Sequence, residues 1–275
     1  MDPRRRYNII VPTAYGTMIV NRNDWMESNG ARFGVGWDLM ETGRYMQVEL
    51  DNLTLFLGSC RPDPVLLDIG ANIGVHSLLF SSLAGERGTV HAFEAQRIVH
   101  QMLLGNLAIN SIENVHARQV AVGAAPGSLR LPPLDYSCNR NFGGVRLAAA
   151  AGAPGAASDH GGNAAADRRE DVSVITIDSL TLPRVDFMKI DVEGMERDVL
   201  AGARMTIERD RPLLQVEWLA DDQGALPAFL LDDLGYRVYQ STMNLLCVPM
   251  EREDLAIGGA TEITIDMLQP GIEAP

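Results

Sequence analysis

Four charged side chains at the ends of apolar segments are the first candidates for chemistry. Lys189, Asp191 and Glu193 occupy alternate positions of VDFMKIDVEG, and Glu217 closes LLQVE. Residues two apart on an extended segment point the same way, so Lys189, Asp191 and Glu193 share one face. Charge at the end of a buried strand is unfavourable unless it is paired or used. One reading is a structural Lys189–Asp191 ion pair, with a carboxylate capping the next helix. The other, favoured reading is an active site in which a carboxylate acts as general base or as an oxygen ligand for a divalent cation. Lys189 is the only lysine among 23 basic residues, which singles it out further.

A second constellation is Asp68-Ile-Gly70-Ala71-Asn72-Ile-Gly74, between the run VLL and a helical stretch from Val75. Glycines let the chain turn sharply and let a ligand approach the backbone. The helix start adds free N–H donors and a positive dipole end. Glu94 closes TVHAFE, 20 residues after Gly74, where a carboxylate can accept hydrogen bonds from both ribose hydroxyls. The dinucleotide fingerprint Gly-x-Gly-x-x-Gly is missing. An acidic residue opening the turn repels a pyrophosphate but pairs with an amino or sulfonium group. S-adenosylmethionine therefore fits better than NAD. An NAD(P)-dependent oxidoreductase is the alternative, and it also lacks a Tyr-x-x-x-Lys pair. A third reading, an inactive adenosyl-ligand-binding domain, does not explain Lys189, Asp191, Glu193 and Glu217 together. His76, inside the helix after the turn, reads as a packing or cofactor-side residue rather than the base.

These residues need a scaffold, and the apolar pattern supplies one. Strands at VLLDIG, TVHAFEA and Val115–Val122 alternate with helices at Val75–Leu83 and Arg97–Asn110. The rhythm resumes with DVSVITIDSL, VDFMKIDVEG, a helix over Met195–Arg209 stopped by Pro212, LLQVEW, a helix over Gly224–Leu234, and strands at Tyr236–Tyr239 and Asn244–Val248. Such alternation predicts an α/β fold around a parallel sheet. Upstream, Tyr15–Val20, Tyr45–Leu50 and Asn52–Leu57 read as short strands, and Asn21–Gly36 as loop or short helix. The Ala/Gly-rich run 148–166 lacks an apolar face and reads as a flexible loop. Residues 1–60 form an N-terminal extension that caps the substrate side, and 61–275 form the main domain.

Composition narrows the class. The 275 residues are 46% hydrophobic, enough for a core without disulfide or metal staples. The net charge of −13 argues against a general nucleic-acid binder. Cys60, Cys138 and Cys247 share no metal-ligand spacing and suit a reducing cytoplasm. No apolar run is long enough for a membrane span, and MDPRRRYNIIVPTAYGT does not read as a signal peptide.

The pieces DIGANIGVHSLLFS, VHAFEAQ, LLGNLAIN with Asn106 and Asn110, QVAVGAAPGSLRLP, ITIDSL, MKIDVEGMERDVLAGA and RPLLQVEW together resemble the FkbM family of S-adenosylmethionine-dependent methyltransferases. YGTMIVNRND and NFGGVRL are similar to a bacterial subgroup of that family. The resemblance implies the class I methyltransferase fold: a Rossmann-like, mostly parallel seven-stranded sheet with helices on both faces, here with an N-terminal β-containing extension. It implies methyl transfer to a hydroxyl of a small natural product or sugar. It also implies that Asp68, Gly70, Ala71, Asn72, Gly74, Glu94, Ala95, Ala121 and Asp191 line the cofactor, and that Lys189, Asp191, Glu193 and Glu217 serve catalysis. Mg²⁺ held by Asp191 and Glu217 is the less favoured version, and a homodimer is left open. Tyr15–Leu50, Leu134–Leu147 and the 148–166 run should shape the acceptor pocket, with Trp25, Phe33, Trp37, Tyr45, Tyr136 and Phe142 as its aromatics. The run 148–166 departs from the family as an insertion before ITIDSL. FEAQ stands where the family more often has FEP, and it keeps Glu94.

Overall fold

The computed structural model describes residues 7–146, 170–218, 224–255, 257 and 260–268, so the run 148–166 lies outside the described residues. Two antiparallel hairpins lead the chain: β1 (Asn8–Thr13) with β2 (Gly16–Asn21), and β3 (Met26–Ser28) with β4 (Ala31–Phe33). Helices α1 (Val35–Thr42) and α2 (Gln47–Leu57) follow. Then come β5 (Val65–Ile69), α3 (Val75–Ala84), β6 (Thr89–Phe93), α4 (Arg97–Ile109) and β7 (Val115–Arg118). Strands β8 (Ala121–Val122), β9 (Gly127–Leu131) and β10 (Glu170–Ile175) form a small separate sheet. The chain continues through β11 (Phe187–Ile190), α5 (Glu196–Gly202), α6 (Arg204–Asp210), β12 (Leu213–Glu217) and α7 (Ala225–Ala228), and closes with β13 (Tyr236–Ser241), β14 (Asn244–Pro249) and β15 (Thr261–Ile263).

The main sheet runs β15-β13-β14-β12-β11-β5-β6-β7. Its strands from β12 to β7 are parallel, and β14, β13 and β15 pair antiparallel. This is the class I methyltransferase architecture with an eighth strand, β15, added at the edge beyond the seven expected. From β5 the chain winds first to β6 on one side and later to β11 on the other. The crevice beyond the carboxyl ends of β5 and β11 is therefore the topological switch point, where ligands bind in open α/β sheets.

Period-two alternation sorts the strand residues between two cores. Ile69, Met188, Ile190, Leu214 and Val216 pack with Val199, Leu200, Ile207 and Leu230 on one face. Leu66, Phe187 and Leu213 pack with Leu53, Phe56, Phe80 and Leu103 on the other. Asp68, Lys189 and Gln215 share the second face and stand side by side in register. Met18, Val20, Val35 and Leu39 join the same core, so the N-terminal segment and the sheet are packed as one body.

Several sequence expectations are corrected. Tyr45–Leu50 and Asn52–Leu57 are not strands; most of their residues form α2. Helical spacing buries Leu50, Leu53, Phe56 and Leu57, while Val48 and Leu55, which mimic strand alternation, are 67% and 78% exposed. Val115–Val122 is two strands, because β8 leaves the main sheet to pair with β10. The helix over Met195–Arg209 breaks at Ala203. The Asp178 carboxylate accepts hydrogen bonds from the N–H groups of Met205 and Thr206 (3.0 and 2.8 Å), capping a fresh start for α6.

The β1–β2 hairpin is docked through two asparagines one turn apart, Asn106 in the last turn of α4 and Asn110 at its C-cap. Asn106 accepts from Ile19 N–H (2.6 Å) and donates to the carbonyls of Ile19 (3.2 Å) and Ile73 (2.8 Å). Asn110 accepts from Thr17 N–H (2.9 Å) and donates to its carbonyl (2.7 Å). Asn106 is fully buried, so Asn106→Ala strands backbone groups of both segments. The expected loss is about 1–3 kcal/mol, read as a lower midpoint in urea unfolding with an unchanged slope. A midpoint equal to that of the wild type would show that the hairpin does not depend on this amide.

Candidate active site

The turn after β5 is shaped by contact. Gly70 has a φ of +83°, and a Cβ there would overlap the carbonyl oxygen of Asp191. Only glycine lets the ends of β5 and β11 meet in this way. Gly74, at a φ of +94°, starts α3 hard against the Leu103 side chain of α4. The N–H groups of Gly70 and Ala71 both donate to Phe93 carbonyl, at 3.0 and 2.9 Å, which ties the turn to β6.

Glu94 follows β6 and faces that turn. One carboxylate oxygen accepts from Asn72 N–H (2.9 Å) and the other from Gln96 N–H (2.8 Å). Burial lifts this carboxyl to about 7, against the pull of the two N–H groups and with a further push from Asp68 and Asp191.

Beneath the turn lies the row Asp68–Lys189–Gln215. Lys189 is 2% exposed, with Nζ 2.9 Å from Asp191 Oδ2 and 3.8 Å from Asp68 Oδ1. Burial lowers the affinity of this amine for its proton, but Asp191, Asp68 and Glu49 together outweigh it and hold its pKa above the usual lysine value. The other Asp68 oxygen accepts from the Ser77 hydroxyl (2.6 Å). Gln215 donates to Glu49 Oε1 (2.8 Å), and His76 Nε2 lies 3.4 Å from the same oxygen. His76 thus sits under the site among α2, α3 and the sheet.

One step further along the strands, carboxylate oxygens of Asp191, Glu193 and Glu217 lie within 4.8 Å of one another. Glu193 takes a left-handed φ of +54°. Its turn is held by Glu196, which accepts from the N–H groups of Val192 (3.2 Å) and Gly194 (3.0 Å). Burial, then repulsion from Asp191, pushes Glu193 up to about 7 and Glu217 up to about 9. Oxygen ligands in this number suit a hard divalent cation, and the same groups without one suit proton transfer.

A cavity of about 420 Å³ opens over these groups, within the usual ~300–1,000 Å³ of small-molecule sites. Of the expected residues, Gly70, Asn72, Glu94, Ala95, Ala121, Asp191, Glu193 and Glu217 line it. Asp68, Ala71, Gly74 and Lys189 do not reach it. Asp68 and Lys189 form the layer below, and Ala71 and Gly74 shape the turn. Phe33 and Tyr45 are in the wall; Trp25, Trp37, Tyr136 and Phe142 are not. Trp25 and Trp37 instead hold the Arg32 guanidinium 4.4 and 4.8 Å from their ring centres. Tyr136 packs on buried Phe142 at 4.7 Å. Asp38, Gln96, Asn141, Gly143, Gly144 and Met243 also line the cavity. Gln96 follows Glu94 by two residues; Asp38, Asn141, Gly143 and Gly144 come from the two segments expected to shape the acceptor pocket, and Met243 comes from the β13–β14 turn.

A model of the methyltransferase FkbM domain matches residues 68–238. The chain belongs to the FkbM methyltransferase family. Glu94, Asp191, Glu193 and Glu217 fall inside the matched span of this FkbM chain, whereas Asp38 falls on the N-terminal segment outside it. No curated protein matches the sequence. Among solved structures, an FkbM methyltransferase from Methylobacillus flagellatus is 20% identical, with 69% of this chain and 45% of that chain covered at a TM-score of 0.48. The chain thus spans less than half of that protein. A Streptococcus mutans protein assigned as a methyltransferase, in complex with SAH, is 15% identical over 74% of this chain and 96% of that one, at a TM-score of 0.42. A SAM-dependent methyltransferase from Aquifex aeolicus is 13% identical over 74% and 98%, at a TM-score of 0.39. Among the described residues of this FkbM-family chain, no helix is long and apolar enough to cross a membrane.

The raised carboxyls fix the sign of a pH effect on stability. Folded Glu193 and Glu217 titrate at about 7 and about 9, above their ordinary 4.5, so over that window the folded chain binds more protons than the unfolded one. Their contribution is fully present below the ordinary value and is lost as pH rises through the folded values. Thermal midpoints should therefore fall from about pH 5 to about pH 9, and Glu217→Gln should flatten the fall. A variant whose midpoints track the wild type across that range would count against the buried, repelled Glu217 described above.

Proposed function

We propose that this protein is an S-adenosylmethionine-dependent O-methyltransferase acting on a hydroxyl of a small natural product or sugar. The observation that carries this reading is one cavity with Glu94 in one wall and the Asp191–Glu193–Glu217 group in another. Glu94 is fixed by two backbone N–H groups, which leaves each oxygen a lone pair for a ribose hydroxyl. Asp191, paired with Lys189, presents negative charge to a cationic methionyl end. The residues present therefore fit the cofactor. When bound, S-adenosylmethionine supplies an electrophilic methyl group on its sulfonium sulfur.

The chain's own task is to align an acceptor oxygen with that methyl and to take the hydroxyl proton as the new O–C bond forms and the S–C bond breaks. Asp191 and Glu193 are the groups suited to receive that proton. Glu217, raised to about 9, keeps its proton at neutral pH and is suited to donate a hydrogen bond to the acceptor. A second reading is favoured by the convergence of three carboxylates within 4.8 Å. A divalent cation held by Asp191, Glu193 and Glu217 would ionise all three and help deprotonate the hydroxyl.

Calorimetry with S-adenosylhomocysteine tests the cofactor. Glu94→Ala should weaken binding by about ten- to a hundredfold, the loss of hydrogen bonds to a charged acceptor of roughly 1.5–3 kcal/mol. Unchanged affinity removes Glu94 from the site. Turnover on a panel of hydroxylated acceptors tests the chemistry. At saturating S-adenosylmethionine, where weaker cofactor binding does not limit the rate, Asp191→Asn should lower it by roughly 10²–10⁴-fold. Loss of wild-type activity to a chelator, restored by Mg²⁺, selects the cation version; indifference to the chelator selects the metal-free one.

A further inference from the structure

Asn141, Gly143, Gly144 and Val145 form one wall of the cavity, yet the segment 141–145 belongs to no helix or strand. Its position comes from the backbone of Phe142, which is held on both sides. Asp24 accepts from Phe142 N–H at 2.9 Å, and Gln96 Nε2 donates to Phe142 carbonyl at 2.8 Å. Both holders are buried, Asp24 at 3% and Gln96 at 7% exposure. The second oxygen of Asp24 accepts from Gly36 N–H at 3.0 Å, beside the cavity residues Gly34 and Val35. One carboxylate thus fixes two walls that lie far apart in sequence. Gln96 is itself fixed from the floor: its N–H donates to Glu94 (2.8 Å), and its side-chain oxygen accepts from the Tyr136 hydroxyl (3.1 Å). The glycine pair brings this wall down onto the turn after β5. A Cβ on Gly143 would lie 2.7 Å from Asn72 Nδ2, and Asn72 N–H donates to the other oxygen of Glu94.

We propose that Asp24 and Gln96 are positioning residues that hold the 141–145 segment as a cover over the nucleoside end of the cavity, and that Glu94, through Gln96, makes that cover respond to a bound adenosyl ligand. The inference rests on the cofactor reading given above. A ribose hydroxyl bonded to Glu94 restrains the carboxylate that holds Gln96, and Gln96 in turn restrains Phe142. Occupancy and wall position are then linked through hydrogen bonds, with no movement of the sheet. The link predicts that the cover slows release of the ligand more than it slows entry.

The probe is S-adenosylhomocysteine on the full chain. Two readouts are taken: its dissociation rate by stopped-flow, and hydrogen exchange of peptides spanning 136–146 and 68–78 with and without the ligand. In the wild type, S-adenosylhomocysteine should slow exchange in both peptides. Gln96→Met keeps the side-chain length but removes the bond to Phe142. It should release the ligand roughly tenfold faster, the size of one hydrogen bond, and lose the protection of 136–146 while keeping that of 68–78. Asp24→Asn replaces one oxygen by a donor facing an N–H group and should act in the same direction, which covers the case in which one variant fails to fold. A purely structural role would lower thermal stability without separating the two peptides. Ligand-induced protection of 136–146 that survives in a folded variant overturns the proposal. Failure of the wild type to bind S-adenosylhomocysteine overturns the cofactor reading and this one with it, whereas binding without protection of 136–146 overturns this one alone.

Discussion

The buried charge of Lys189 is the constraint around which the site is organised. It sits at the point where the sheet reverses its winding, with Asp68 beside it on β5 and Asp191 just past the end of β11. A lone ammonium there would be strongly disfavoured, and two lone carboxylates even more so. Together they form a compact, partly compensated unit. Asp68 Oδ1 has no hydrogen-bond partner among the described residues, so the field of Lys189 is its main compensation. The arrangement leaves Asp191 at the surface of the unit, anchored from below and open to the cavity above. A carboxylate held this way keeps its orientation without spending the hydrogen-bonding capacity that faces the cavity.

The second organising fact is that the cavity is not built by the sheet alone. The carboxyl ends of β5, β6, β11 and β12 give the floor, but Phe33, Gly34, Val35, Asp38 and Tyr45 come from the chain before β5. None of them is placed by the main sheet: Phe33 pairs with Met26 in its own hairpin, Val35 packs in the core, and polar contacts tie the segment down. Asn106 and Asn110 dock the first hairpin on α4, and Asp24 ties the start of α1 to Phe142. The N-terminal segment is thus as much a part of the site as the motifs that announce it.

The legible part of the sequence was the part governed by local rules. Strand alternation, the glycine turn and the charged strand ends located β5, β6, β11 and β12 and six of the cavity residues, and the family resemblance added Ala95 and Ala121. The strand reading at 45–57 failed because Val48 and Leu55 are apolar but face solvent, so period two imitated a strand where Leu50, Leu53 and Phe56 made a helix. The break at Ala203 was invisible because its cause, Asp178, lies on a different segment. Asp68 and Lys189 were recognised as important side chains, yet their depth below the cavity depends on register between strands, which spacing within one strand does not reveal. Gln96 and the glycines at 143 and 144 lie in segments the resemblance singled out, and Asp38 in one expected to shape the pocket, but their individual places in the cavity are set by packing.

The asparagine docking of the first hairpin also bears on what its strand edges offer to a second chain. An exposed strand edge is a template for pairing with another molecule. On β2, the N–H and carbonyl groups of Thr17 and Ile19 that would form such an edge are taken up by Asn110 and Asn106. On β1, Pro12 removes one donor from the ladder. The two strands are therefore blunted by different means, one by side-chain amides that imitate a neighbouring strand and one by a missing hydrogen. Neither offers another chain an uninterrupted run of backbone groups.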